Sequence, residues 1–249
     1  MFRTLYFYTK LVFSLIAIVP RTFKLRKLQR TMPDNEFRLL TNQIVRKWAN
    51  ARVKDTNATF DMRGLEKIPD CPVVFIANHQ SLFDVAPFLT SVNRPVAFIA
   101  KIESLKIPVI SEFMGYMGCV FMDRADIKQS AKAINEGIAK VKAGVSMVIF
   151  PEGTRSKNGN ILGEWKAGSF KLATKAKAPI IPVAFYNSFK VMNGTKISAA
   201  KVTVIFGDPI ITEGLTRDEL ADFPETIKDI IQYELNELTK NELSQEEKD

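Results

Sequence analysis

One histidine and two cysteines occur in these 249 residues. So little histidine excludes a histidine-rich metal centre, and any imidazole chemistry falls to His79 alone. Cys71 and Cys119 are too few for a disulfide framework; they read as free thiols of a reducing compartment, Cys119 as a small core residue beside an apolar run. No glycine-rich Walker loop is present, which leaves nucleotide phosphoryl transfer unsupported. No Gly-x-Ser-x-Gly elbow is present either, which argues against the common lipase design. Acidic residues are missing from Met1 to Arg30, a stretch with seven basic ones. The carboxyl terminus reverses the balance, with eleven acidic against four basic residues from Arg217 to Asp249. A net charge of +8 distributed so unevenly is unlike a uniformly basic nucleic-acid binder and suits attraction of the amino terminus to an anionic membrane surface.

Hydrophobic content of 46% with 25% charged residues is that of a globular chain, long enough for one α/β domain plus an appendage. Leu11 to Val19 is an uncharged apolar run stopped by Pro20. It falls short of the ~20 apolar residues that a spanning helix needs, so shallow embedding at the interface is expected. A short single span and a cleaved leader are the alternatives. Tyr6, Tyr8 and the cluster Arg21 to Lys27 suit the headgroup level. Asn35 to Val53 has helical spacing, with Phe37, Leu40, Ile44 and Trp48 on one face and Arg38, Asn42, Arg46 and Lys47 away from it. Residues 1–53 are therefore expected to form a two-helix membrane-docking element, and 54–249 a catalytic domain.

From about Ala58 strands and helices alternate. Strands are expected at 72–77, 96–100, 119–122, 146–150, 180–186 and 201–206, and helices at 81–91, 127–143, 168–176 and 217–238. That order predicts an α/β fold with a mostly parallel central sheet flanked by helices. Ile227, Ile230, Ile231, Leu235 and Leu238 form the apolar face of the acidic last helix, expected to pack on the domain.

His79 emerges where the apolar run ending at Ala77 stops, at a strand's carboxyl end, the edge where open α/β sheets place reactive groups. Asp84 lies five residues further on. Ser81-x-x-Asp84 also reads as a helix capping pair. The two readings are compatible: a carboxylate one turn into the helix reaches back to the imidazole and makes it a better base. Three further strand ends lead to Lys101, Asp123-Arg124 and Phe150-Pro151-Glu152-Gly153-Thr154-Arg155-Ser156. Arg155 offers a planar fork suited to phosphate or carboxylate. One base and three cations form a constellation for a phosphorylated substrate whose hydroxyl must lose a proton. Against this stands a plain reading of caps, turns and surface arginines.

Four ordered blocks, Asn78-His79-x4-Asp84, Gly118-x-Val-Phe-Met-Asp-Arg124, Phe150 to Ser156 and Ile181-Pro182-Val183, together resemble the phospholipid/glycerol acyltransferase family. Within it the likeness is greatest to the bacterial 1-acyl-sn-glycerol-3-phosphate acyltransferases. Arg63 to Pro69 looks like the family's lead-in, and Met122 stands where an aliphatic β-branched residue is commoner. The resemblance covers about Ala58 to Ile211. It implies that His79, oriented by Asp84, deprotonates the sn-2 hydroxyl of lysophosphatidic acid, which attacks an acyl thioester to give phosphatidic acid. It further implies Lys101, Arg124 and Arg155 as phosphate ligands and Glu152, Gly153 and Thr154 as parts of the acceptor site. No metal or other cofactor is implied beyond acyl-CoA or acyl carrier protein as co-substrate. Nucleic acid is not an expected partner, and the expected location is the cytoplasmic face of the cell membrane. An acyltransferase with another acceptor, such as glycerol-3-phosphate, a thioester hydrolase, and a non-catalytic membrane module remain the alternatives.

Overall fold

A computed structural model describes residues 2–156 and 158–246. Two helices come first, α1 (Phe2–Gln29) and α2 (Asp34–Thr56). The chain then alternates through β1 (Thr59–Arg63), β2 (Val74–Ala77), α3 (Val85–Thr90), β3 (Val96–Lys101), α4 (Ile110–Tyr116), β4 (Val120–Met122), α5 (Ile127–Lys142) and β5 (Ser146–Ile149). It ends with α6 (Lys171–Ala176), β6 (Ile180–Tyr186), the small hairpin β7 (Met192–Asn193) and β8 (Lys196–Ile197), β9 (Lys201–Phe206) and α7 (Arg217–Glu246).

Among the described residues seven strands form one sheet in the order β1-β9-β6-β2-β5-β3-β4. Its pairings are parallel except that of β6 with β9. The expected α/β architecture is therefore the observed one. Every residue of β2, β5 and β6 is buried, as a sheet covered on both faces requires. Phe75, Phe88, Phe185 and Phe206 fill the centre; Phe75 and Phe88 have ring centroids 5.2 Å apart.

Local chemistry sets the helix boundaries. The Asp126 carboxylate accepts from the Lys128 and Gln129 amides and starts α5. The buried stripe of α5, Ala133, Ile134, Gly137, Ile138 and Val141, has the spacing of one helical face. The last helix buries Ile227, Ile231, Leu235 and Leu238 as expected, whereas Ile230 of the same expected face is only half-buried. Gly64, at φ 77°, turns the chain after β1 where an added Cβ would lie 2.0 Å from the Phe206 carbonyl oxygen, so no other residue fits.

Two expectations for the amino terminus need correction. Pro20 does not stop α1, which continues to Gln29. One missing N–H costs a single helical bond, and burial of Ile18, Thr22 and Leu25 against the rest of the chain holds the helix through it. The resulting 28-residue helix is long and apolar enough to cross a membrane by length and composition, with only 11% of its most apolar window buried. In α2 the buried stripe runs through Phe37, Thr41, Val45 and Ala49, and Asn42, expected to face outward, is also buried. Leu40, Ile44 and Trp48 are half-buried beside it. Arg46 donates to the Val92 carbonyl oxygen at 2.5 Å, and the Trp48 indole N–H donates to Ser14 Oγ at 3.0 Å; together they tie α2 to the domain and to α1.

Candidate active site

β2 lies between β5 and β6, so the loop leaving Ala77 stands beside the loops leaving Ile149 and Tyr186. Asn78 extends the β2–β6 pairing with its side chain: its amide donates to the Phe185 carbonyl oxygen at 3.0 Å and accepts from the Phe185 N–H at 2.7 Å. His79 is thereby delivered to the carboxyl edge of the sheet on a fixed backbone.

The His79 Nδ1 lies 2.7 Å from Asp84 Oδ2. Asp84 is fully buried, while the His79 side chain keeps 15% exposure. The same carboxylate oxygen accepts the Gln80 and Ser81 amides at 2.6 and 2.8 Å, and Ser81 Oγ accepts the Phe83 amide at 3.3 Å. The capping pair and the histidine partner are thus one carboxylate serving both roles, on a 3-10 turn at Leu82–Asp84 that leads into α3. With Nδ1–H donated to Asp84, the imidazole has Nε2 free to accept a proton, the arrangement of a general base.

Three supports had no individual role assigned from the sequence, although Gln80 and Phe150 lie within the motif blocks. Ser188, fully buried just past β6, donates through its hydroxyl to Asp84 Oδ1. Gln80 accepts the Ser188 amide at 3.0 Å and donates to the Gly159 carbonyl oxygen at 3.1 Å and to Asn160 Oδ1 at 3.0 Å. Phe150 stacks on the imidazole with ring centroids 4.2 Å apart and an interplanar angle of 20°. The one signal available for Ser188 was its position after the carboxyl end of a buried strand.

Glu152 is buried, and its Oε1 accepts the His79 amide at 2.8 Å while Oε2 accepts the Gly163 amide at 3.3 Å. Burial pushes its carboxyl above the usual range, a shift the two amides and the nearby imidazole reduce. Glu152 therefore joins the β5 loop to the histidine backbone. The loop is fastened a second time by the Ser156 amide, which donates to the His79 carbonyl oxygen at 2.7 Å. Gly153 makes the loop's turn at φ 68°.

Of the cations, Arg124 is half-buried and donates to the Gly153 carbonyl oxygen; burial lowers its guanidinium pKa. Lys101 is exposed and pairs with Glu103 at 2.6 Å. Arg155 and Thr154 are exposed. All four leave the carboxyl ends of β3, β4 and β5, the edge that carries His79. Beside Phe150 a cavity of about 370 Å³ is walled by Ile99, Met122, Ile134 and Ile149. Arg124, Lys166, Lys171 and Lys175 also line it, and among the described residues no acidic one does. Cys119 is buried, with its thiol pushed up to about 12 by desolvation, so it serves as an inert core residue.

Residues 59–186 match the model of the family described as Acyltransferase. This chain belongs to the acyltransferase family. It is 36% identical over 184 residues to the chloroplastic 1-acyl-sn-glycerol-3-phosphate acyltransferase BAT2 of Brassica napus, covering 72% of this chain and 52% of that protein. It is 31% identical over 212 residues to the 1-acyl-sn-glycerol-3-phosphate acyltransferase of Saccharomyces cerevisiae, covering 80% of this chain and 69% of that one. The crystal structure of the 1-acyl-sn-glycerophosphate (LPA) acyltransferase PlsC from Thermotoga maritima superposes with a TM-score of 0.81 at 27% identity, over 96% of this chain and 95% of that one. The alignment spans about half the length of the Brassica protein. For this family member the fold expected from the sequence is the fold found.

Proposed function

We propose that this acyltransferase moves a fatty acyl group from a thioester donor to the sn-2 hydroxyl of 1-acyl-sn-glycerol-3-phosphate, giving phosphatidic acid. The observation that carries the reading is the His79–Asp84 contact at 2.7 Å, set at the sheet's carboxyl edge among cations. His79 Nε2 takes the hydroxyl proton, and the alkoxide attacks the thioester carbonyl carbon. The tetrahedral intermediate collapses with cleavage of the C–S bond. The leaving thiolate takes the proton back from the imidazolium, so the base is restored and no acyl-enzyme forms. Ser81 is committed to its capping bonds and is not the nucleophile.

Arg155 and Lys101, the latter exchanging its exposed pairing with Glu103, grip the acceptor phosphate, with Arg124 a third cation at the inner end of the site. Glu152, Gly153 and Thr154 shape the acceptor loop. The cavity beside Phe150 takes an acyl chain along its Ile99, Met122, Ile134 and Ile149 wall, with the four cations at its polar side. Acyl-CoA or acyl carrier protein supplies the acyl group, and the chain itself needs no metal. Residues 1–53 act as a docking element on a catalytic domain of residues 54–249. Phe2, Leu5, Phe13, Ile16 and Phe23 are all exposed on α1, an apolar surface that suits peripheral insertion into an anionic leaflet on the cytoplasmic face.

The deciding experiment gives purified protein lysophosphatidic acid and each thioester donor in turn, and measures phosphatidic acid and free thiol. Equal yields of both are expected. Thiol release that is indifferent to the acceptor would identify a thioester hydrolase instead, and transfer to glycerol-3-phosphate alone would replace the acceptor.

A further inference from the structure

The cavity of about 370 Å³ beside Phe150 is a groove between α5 and α6. Ile127, Ser130, Ala131, Ile134 and Asn135 line it from α5, spaced three and four residues apart as one helical face. Lys171 and Lys175 line it from α6, one turn apart, and Lys166 stands just before that helix. Phe150 belongs both to this wall and to the stack on the His79 ring, so the groove reaches the reacting centre.

The three lysines are exposed, and none pairs with a carboxylate among the described residues. Their neighbours behave differently. Lys177, two residues beyond Lys175, is held by Glu213 at 3.0 Å, and Lys101 by Glu103 at 2.6 Å. Like charges four residues apart on a helix repel, and α6 has only six residues over which to absorb that cost. Among the described residues no acidic side chain lines the groove to offset them. Cations left without a counter-charge along an apolar wall suit an anion that also carries a neutral or apolar arm.

The reaction has two phosphorylated partners. Arg155, Lys101 and Arg124, at the strand ends, face the acceptor. The second partner is the thioester donor, whose acyl group hangs on a phosphopantetheine arm in coenzyme A and in acyl carrier protein alike. That arm is uncharged and carries two amides, which the exposed amide of Asn135, without a partner among the described residues, can meet. We propose that Lys166, Lys171 and Lys175 form the donor site: they hold the phosphate of the phosphopantetheine carrier, and the arm follows the α5 face of the groove to present the thioester at His79. This rests on reading the reaction as transfer from a thioester, and it deepens that reading by giving donor and acceptor separate cation sets.

The test compares donors on one protein. Acyl-CoA, acyl carrier protein and the acyl thioester of N-acetylcysteamine share the reacting group, but the last has no phosphate. Full-length protein and its Lys171→Gln/Lys175→Gln variant are assayed with each donor and lysophosphatidic acid. The ratio of kcat/KM for the phosphorylated donor to that for the neutral one is expected to fall about ten-fold or more, the scale of losing hydrogen bonds to a charged group. KM for the phosphorylated donor should carry the change, and Lys171→Arg/Lys175→Arg should restore the ratio. A fall confined to one of the two carriers identifies which of them the site serves. An unchanged ratio overturns the proposal, as does a rise in KM for lysophosphatidic acid in place of the donor. Because the ratio is internal to each protein, a general loss of folded enzyme does not imitate the expected result.

A second readout requires no turnover. Titration calorimetry of His79→Ala protein with free coenzyme A and with holo acyl carrier protein should detect binding of at least one, weakened about ten-fold or more by the two lysine substitutions. Binding of neither, or binding indifferent to the substitutions, overturns the site. Carrier bound at these lysines by a protein that forms no phosphatidic acid would instead refute the acyl-transfer reading and leave the site standing.

Discussion

Asp84 accepts hydrogen bonds from the His79 ring, the Gln80 and Ser81 amides and the Ser188 hydroxyl. Each has a different consequence if lost. Replacing His79 by Ala removes the base and should lower transfer by ~10²–10⁴-fold with the circular dichroism spectrum unchanged; undiminished transfer refutes the mechanism. Ser188→Ala leaves one buried carboxylate oxygen without its donor. A loss of about 1–3 kcal/mol in denaturant unfolding is expected, with a fall in kcat at constant KM, both recovered in Ser188→Thr. Arg155→Ala should instead raise KM for lysophosphatidic acid while kcat holds; the opposite split would put Arg155 at the reacting atoms. The histidine and its carboxylate could be read from the sequence because five residues separate them and the turn between them has its own capping signature. Ser188 could not, because it reaches Asp84 across 104 residues of chain and only the β2–β6 pairing brings them together.

Among the elements, β6 and β9 match their expected bounds because each is an apolar run bracketed by turn residues, Pro179 and Asn187 for β6. That β9 runs antiparallel to β6 is a property of the pair, and no residue within either strand announces it. The helix α4 has no signature in the sequence for a local reason. It begins after Val109, which sits at φ 67° and closes a tight turn in which the Ile110 amide donates to the Pro108 carbonyl oxygen at 2.7 Å. A β-branched residue in that conformation is not a turn signal that composition provides. The helix also carries the link to α1: Arg26 donates to both oxygens of Glu112, at 2.6 and 3.0 Å, and the Tyr116 hydroxyl donates to the same carboxylate. Arg26 holds the Glu112 carboxyl below the usual range, and burial pushes the Tyr116 hydroxyl up to about 12. A depressed carboxyl stabilises the fold above its unfolded pKa and loses that contribution as the pH falls through its folded one. Glu112→Gln should therefore lower Tm at neutral pH, and the gap to the parent should close on acidification. A gap independent of pH would show that the pair contributes through packing alone.

For the molecule as a whole, a basic apolar amino terminus and an acidic carboxyl-terminal helix sit on one continuous hydrophobic core. Removing residues 1–30 should abolish co-sedimentation with anionic vesicles and with it turnover of bilayer substrate. Full retention on vesicles would show that the helices do not dock. The tertiary reach of α1 is not legible in the sequence, since an apolar run of nine residues before a proline gives no hint that the helix continues over the domain. The solitary imidazole has a consequence of its own. Any histidine-selective acylating reagent, and any nitrogen resonance from histidine-labelled protein, reports on the reacting group with no background to subtract. Occupancy of the cleft by a substrate could then be followed, atom by atom, in the intact chain.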